Sequence, residues 1–204
     1  MVAGISEALG EAWEISSKTI GIDEHFFSRK NGYREFATVV VDYNNKRGRE
    51  LAHGRSIFEL ERQLSHIPGR ENVKQVVLDL SDTYKSFAKQ FFQNSKLIAD
   101  KFHVLRLLNP AINRYRKEIT GDKRANVIRK LLLRSGINLE YFERKVMLVK
   151  WREEVLNYFE NRITNARTEG FNNVAKLIQK RAYGVKSFKF YRLRYLSACL
   201  LKTF

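Results

Sequence analysis

Residues 18–27, KTIGIDEHFF, make a mostly apolar run of strand length, and 35–43, EFATVVVDY, make a second one rich in β-branched side chains. Lys30-Asn31-Gly32 between them marks a turn, so the two runs predict a hairpin. The cluster Asn44-Asn45-Lys46-Arg47-Gly48 predicts a second turn into a short third strand near 49–53. In SIFELERQLSHI the apolar positions Ile57, Leu60, Leu64 and Ile67 recur with helical period, capped at Ser56 and stopped by Pro68-Gly69. VKQVVLDL at 73–80 predicts a fourth strand. A helix carrying Tyr84, Phe87, Ala88, Phe91 and Phe92 follows behind a Ser81 or Asp82 cap, and KLIADKF at 96–102 predicts a fifth strand.

A helix joining two strands implies a parallel crossover, so the first half predicts a mixed α/β sheet with its polar site at the carboxyl ends of the strands. From 103 onward the period is helical, over 103–118, 123–134, 139–161 and 165–182, with Gly121, Gly136 and Gly184 as breaks and helices continuing to the end. The 165–182 helix sorts into an apolar side of Phe171, Val174, Ala175 and Ile178 and a polar side of Glu169, Asn172, Asn173, Lys176 and Lys180. A chain of 204 residues suits one well-buried core with a helical annex.

Charge changes the picture in the second half. Residues 1–100 hold 14 basic and 14 acidic side chains, whereas 101–204 hold 24 basic and 8 acidic, so the whole excess of +16 lies there. Basic residues interleaved with aromatics point to a polyanion, nucleic acid first. A basic solvated face or a patch for an anionic membrane is the blander reading. The single cysteine, Cys199, fits a reducing compartment and a buried apolar position. No run reaches membrane-spanning length and the start lacks a secretory pattern, so a cytoplasmic, nucleoid-associated protein without membrane contact is expected.

Asp23 lies inside one apolar strand and Asp79 near the end of another, positions where an unpaired carboxylate is costly to bury. If the strands are neighbours, the two carboxylates stand side by side and a third from a helix, Glu169, completes a site for hard divalent ions. Spacing alone leaves open the alternative that each Asp is a turn or helix cap. Glu24 falls on the opposite sheet face.

The phrases IGIDEHFF, VVLDLSDTYKSF, ADKFHVLRLLNPAINRYR and TNARTEGFNNVAKLIQKRAYGVKSFKFYRLR resemble, in order, the DDE transposases of the ISL-three insertion-sequence family. The likeness covers most of 18–204. It implies a ribonuclease-H-like mixed five-stranded sheet with flanking helices and a helical C-terminal half. It also implies catalytic, metal-binding Asp23, Asp79 and Glu169, and two Mg²⁺ or Mn²⁺ ions that support phosphodiester hydrolysis and strand transfer at element ends. Asp100 and His103, in ADKFH, match a family signature and are expected as partners of the metal ligands or as an alternative ligand. Their structural alternatives are a strand-end Asp bonded to a loop and a histidine packed at the strand-to-helix junction.

The expected partners are DNA, as terminal inverted repeats and target, and a second copy of the chain in a homodimer. Arg167, Asn172, Asn173, Lys176, Lys180 and Arg181, extended by Lys186, Lys189, Arg192 and Arg194, are the expected phosphate contacts. Tyr183, Phe188, Phe190 and Tyr191 are read as core first and base-stacking second, and Trp13 and Trp151 as packing. Relative to the family pattern, 1–17 reads as a remnant of an N-terminal DNA-binding or linker region. Residues 18–204 then form the catalytic domain, with 119–163 a shortened helical insertion. A non-catalytic remnant that only binds DNA or an intact relative is therefore the alternative to an active core.

Overall fold

The computed structural model describes residues 14–30, 32–120, 148–182, 185 and 187–200, with 111–120 as backbone. The expected helix at 123–134, the first part of the one at 139–161, Trp13, Tyr183 and Lys186 lie outside the described residues. Three strands open the domain: β1 (Thr19–Lys30), β2 (Tyr33–Asp42) and β3 (Arg47–His53). They are joined antiparallel as a meander, with Gly32 taking the positive φ the first turn requires. The second turn is held by the Asp42 carboxylate, which accepts from the backbone N–H (2.9 Å) and the side-chain amide (2.7 Å) of Asn45.

Helix α1 (Ile57–Leu64) begins at the predicted cap. The Ser56 hydroxyl accepts from the Glu59 N–H while the Glu59 carboxylate accepts from the Ser56 N–H, a reciprocal capping box. A 3₁₀ turn (Arg70–Asn72) leads into β4 (Gln75–Leu78), then α2 (Asp82–Phe91), β5 (Lys96–Ala99) and the long α3 (Lys101–Thr120). β5 is shorter than the run 96–102 predicted, because the chain turns at Asp100 directly into α3, whose Val104 N–H bonds the Asp100 carbonyl. After it come α4 (Arg152–Asn161), α5 (Ala166–Arg181) and α6 (Phe188–Leu200).

The sheet order is β3-β2-β1-β4-β5, with β1, β4 and β5 mutually parallel. This is the mixed five-stranded sheet with flanking helices expected of a ribonuclease-H-like domain. Side chains alternate across it. Ile20, Ile22, Val76, Leu78, Leu97 and Ala99 pack with α1, α2 and Trp151 on one face. Val39, Val41, Val77 and Ile98 pack with Phe171 of α5 and Tyr191, Tyr195 and Cys199 of α6 on the other. Residues at 23, 79 and 100 continue the second register, so their side chains belong to the α5 face. α4 closes the β5 edge: the Asn157 amide donates to the Leu97 carbonyl (2.8 Å) and Gln75 donates to Asn161 (2.8 Å).

The C-terminal helix accounts for the aromatic density of the basic tail. Tyr191 is buried and Phe188 packs partly against the same core, as the sequence predicts; Tyr195 is buried beside them, whereas Phe190, also expected in the core, is exposed. α6 lies close on β3 at Gly48, where a Cβ would come within 2.3 Å of the Tyr195 hydroxyl and 2.8 Å of Cys199 Sγ.

Candidate metal centre

Three adjacent parallel strands bring carboxylates into line. Ile22 pairs with Leu78 and Leu78 with Ala99, so the next residues, Asp23, Asp79 and Asp100, form a row where this parallel pairing stops. Each strand supplies an apolar run that fixes its register in the core; β4 and β5 end just before their aspartates, whereas β1 continues past Asp23 to Lys30, paired there with β2 alone. Charged side chains sit in this row because the covering helix carries polar groups at matching heights.

That helix is α5. Asn165, just before its first turn, donates its backbone N–H to Asp100 Oδ1 (3.1 Å), and its amide lies 3.4 Å from Asp79 Oδ1. Two turns later the Asn172 amide donates to Asp23 Oδ2 (2.5 Å) and to the Glu24 carbonyl (3.0 Å). The other oxygen, Asp23 Oδ1, accepts from the Glu24 N–H (2.7 Å), so both oxygens of Asp23 are oriented. Glu169 stands between these contacts, four residues after Asn165 and three before Asn172, on the same side of the helix. Its side chain is exposed and makes no hydrogen bond or ion pair among the described residues.

α5 reaches the sheet because β1 has a glycine beneath it. A Cβ at Gly21 would lie 2.0 Å from Thr168 Oγ1 and 2.5 Å from Tyr43 Cε1. Tyr43 in turn ties the start of α5 down, its hydroxyl 2.8 Å from Thr168 Oγ1 and 3.0 Å from the Thr164 carbonyl it donates to. Gly21→Ala should therefore destabilise the fold by about 1–3 kcal/mol through overpacking, read by urea unfolding. Adding Thr168→Ala, which removes the closest atom, should recover part of the loss. An unperturbed single variant would show that this contact does not set the height of the helix.

His103, on the first turn of α3, completes the polar cluster. Its Nδ1 is 3.2 Å from Asp100 Oδ2 and 3.4 Å from Asp79 Oδ1. One ligand atom from each of Asp79, Asp100 and His103 lies within 4.8 Å of the others. Burial raises the Asp79 carboxyl to about 6; His103 works against that rise, and the carboxylates of Asp23 and Asp100 add to it. Burial likewise raises Asp23, only partly offset by the Asn172 hydrogen bond. Asp100 is also buried, but hydrogen bonds with His103 and the Asn165 N–H outweigh burial and hold it below its ordinary range. His103 is raised, because the hydrogen bond with Asp100 and the charge of Asp79 exceed the effect of its burial. Three carboxylates in partial burial with one imidazole leave negative charge uncompensated, and hard oxygen donors of this kind fit a divalent cation.

The sequence model of the ISL-three DDE transposases, described simply as a transposase, matches residues 20–147 and 134–195. The chain belongs to the ISL-three DDE transposase family. No curated protein matches it. Membership in this transposase family implies use of a divalent metal and binding of DNA. Among the described residues, no helix is long and apolar enough to cross a membrane.

The expected DNA contacts divide on burial. Asn173, Lys176, Lys180, Arg181, Lys189 and Arg194 are exposed. Asn172 is not on that side: it is 1% exposed and bonded to Asp23, so the division of α5 into apolar and polar faces needs correction there. The physical reason is that a polar side chain can be buried where a carboxylate awaits its hydrogen bond. Arg192 is also committed internally, as Nε and Nη2 each donate at 2.5 Å to the Glu50 carboxylate, which is 3% exposed. Arg167 donates to the Tyr43 carbonyl and lies 5.3 Å over the Tyr43 ring.

Removing Arg192 should thus act on stability. Arg192→Ala leaves a buried glutamate unpaired and should cost about 2–4 kcal/mol, while the salt slope of DNA binding stays that of the parent protein. A lowered slope with unchanged stability would instead make Arg192 a phosphate contact. Asn165, Thr168, Tyr43 and Gly21 were not singled out from the sequence. The signal for Asn165 was present as the i, i+4, i+7 spacing of Asn165, Glu169 and Asn172.

Proposed function

We propose that the chain is the catalytic core of a cut-and-paste DNA transposase. In this reading it carries out metal-dependent phosphodiester hydrolysis and strand transfer at insertion-sequence ends. The observation that carries it is the row of Asp23 and Asp79 on neighbouring parallel strands, just past the last pair they share, with Glu169 on the helix face that spans them. Asp23, Asp79 and Glu169 would hold two Mg²⁺ or Mn²⁺ ions. Bound there, the ions would make the attacking hydroxyl more nucleophilic and stabilise the leaving oxygen.

The protein groups prepare that site. Asn172 fixes the Asp23 carboxylate, and Asn165 and His103 fix Asp79 and Asp100, so little reorganisation is left for the reaction itself. The exposed basic face of α5, continued by Lys189 and Arg194, would lay the DNA backbone beside the carboxylate row and set register without reading sequence. Water as nucleophile releases an element end by forming one P–O bond as another breaks. The 3′-hydroxyl of that end can then repeat the displacement on target DNA. A homodimer would hold the two ends together, in the cytoplasm at the nucleoid.

A second reading has its own observation: Glu169 is exposed and touches neither aspartate among the described residues. A chain whose third carboxylate stays out of reach would be a non-catalytic remnant that binds DNA or an intact relative. Thermal unfolding with and without Mn²⁺ separates the two. An active core gains stability in proportion to ln(1 + [Mn²⁺]/Kd), and Asp23→Asn loses that gain. Metal-indifferent unfolding beside salt-steep, sequence-indifferent DNA binding would support the remnant.

A further inference from the structure

We infer that Asp100 and His103 are themselves metal ligands, forming with Asp79 a mixed oxygen and nitrogen subsite that prefers a first-row transition ion such as Mn²⁺ over Mg²⁺. This rests on the divalent-metal reading above and goes beyond it by naming the donors and the ion they select.

Two observations converge. The ligand atoms of Asp79, Asp100 and His103 already lie within 4.8 Å of one another, close enough for one ion to reach all three with small side-chain adjustments. The cluster is set by rigid elements: Asp100 directly follows β5, its N–H bonded to the Leu78 carbonyl at 2.9 Å, and His103 comes three residues later on the first turn of α3. Two carboxylates and an imidazole therefore hold their relative positions whatever Glu169 does.

The donor set decides the ion. Mg²⁺ demands oxygen ligands and parts with water reluctantly, whereas an imidazole nitrogen adds affinity for transition ions. Asp79 lies in the row between Asp23 and Asp100, so it can serve both this subsite and the Asp23 side. Asp100 is thus more than a partner that orients Asp79. Losing His103 should weaken Mn²⁺ much more than Mg²⁺, bringing the two ions to similar affinity.

The test uses the full chain and the metals alone. Mn²⁺ binding is titrated by electron paramagnetic resonance, Mg²⁺ is measured by competition, and electron spin echo modulation reports any nitrogen coordinated to Mn²⁺. The parent protein should show nitrogen coupling, and Glu169→Gln should keep it. His103→Ala should lose it together with about tenfold or more of the Mn²⁺ affinity but little of the Mg²⁺ affinity. His103→Gln, which keeps a polar side chain of similar length, guards against simple unfolding and should also lose the coupling. Mn²⁺ bound without nitrogen coupling, or equal loss of both ions in His103→Ala, overturns the subsite while leaving the metal reading intact. Failure of the parent protein to bind either ion overturns both.

Discussion

Asp79→Ala should abolish Mn²⁺-dependent nicking of supercoiled plasmid, lowering it at least about a hundredfold, while DNA binding and its salt dependence stay unchanged. Asp79 is flanked by Asp23 on one side and by Asp100 and His103 on the other, so it is the residue whose removal breaks the row in the middle. Losing even an outer partner of a metal ligand commonly weakens a site about 10–100-fold, and a direct ligand should cost no less. The basic side chains expected to hold DNA, Lys176, Lys180, Arg181, Lys189 and Arg194, are exposed on other parts of α5 and α6, which is why binding should survive. Because burial raises the Asp79 carboxyl of the metal-free protein to about 6, protons compete with Mn²⁺ there, and the apparent Mn²⁺ affinity of the parent protein should fall as pH drops through that value. Nicking that is equal in parent and variant would remove the catalytic proposal.

Asp79→Asn should make the metal-free protein more stable near pH 8 and at the same time abolish its stabilisation by Mn²⁺. A carboxyl whose folded value is raised from 3.8 to about 6 favours the folded state in its protonated form, and ionisation opposes folding. The contribution of Asp79 to stability is therefore most favourable below about pH 4, is lost as pH rises toward 6, and stays reduced above that. The rise corresponds to up to about 3 kcal/mol, because each pH unit is worth about 1.36 kcal/mol. An amide of the same shape carries no charge and can still accept the Asn165 and His103 hydrogen bonds, so it should recover a large part of this. The comparison is urea unfolding of parent and variant at pH 5 and pH 8, each with EDTA or Mn²⁺. A variant less stable than the parent at pH 8 in EDTA would mean that the carboxylate contributes to the fold more than its neighbours oppose it.

Much of this site is legible in the amino-acid sequence. Asp23 and Asp79 stood out because each interrupts an apolar run, where an ionised group needs a reason to be present. The ADKFH phrase points to Asp100 and His103, but whether they face the site or a loop depends on where β5 stops. The strand ends one residue before Asp100, earlier than the run to 102 suggested, since the backbone of Asp100 already begins α3. The polarity pattern places Asn172 on the wet side of its helix because amide and lysine look alike in such a pattern. Only the partner across the gap, the carboxylate of Asp23, turns that amide inward.

Period and turn chemistry in the chain by themselves determined the strand and helix order, the cap at Ser56, the parallel crossovers and hence the edge of the sheet where polar residues collect. These are local properties, carried by side chains a few residues apart. Tertiary structure decided what lies opposite what. It paired β1 with β4 and β4 with β5 so that three carboxylates align, and it brought α5 down at Gly21 so that Asn165 and Asn172 meet them. It also enclosed the Glu50–Arg192 pair, residues 142 positions apart in the sequence. Such meetings follow from packing across the whole domain, which no local pattern encodes.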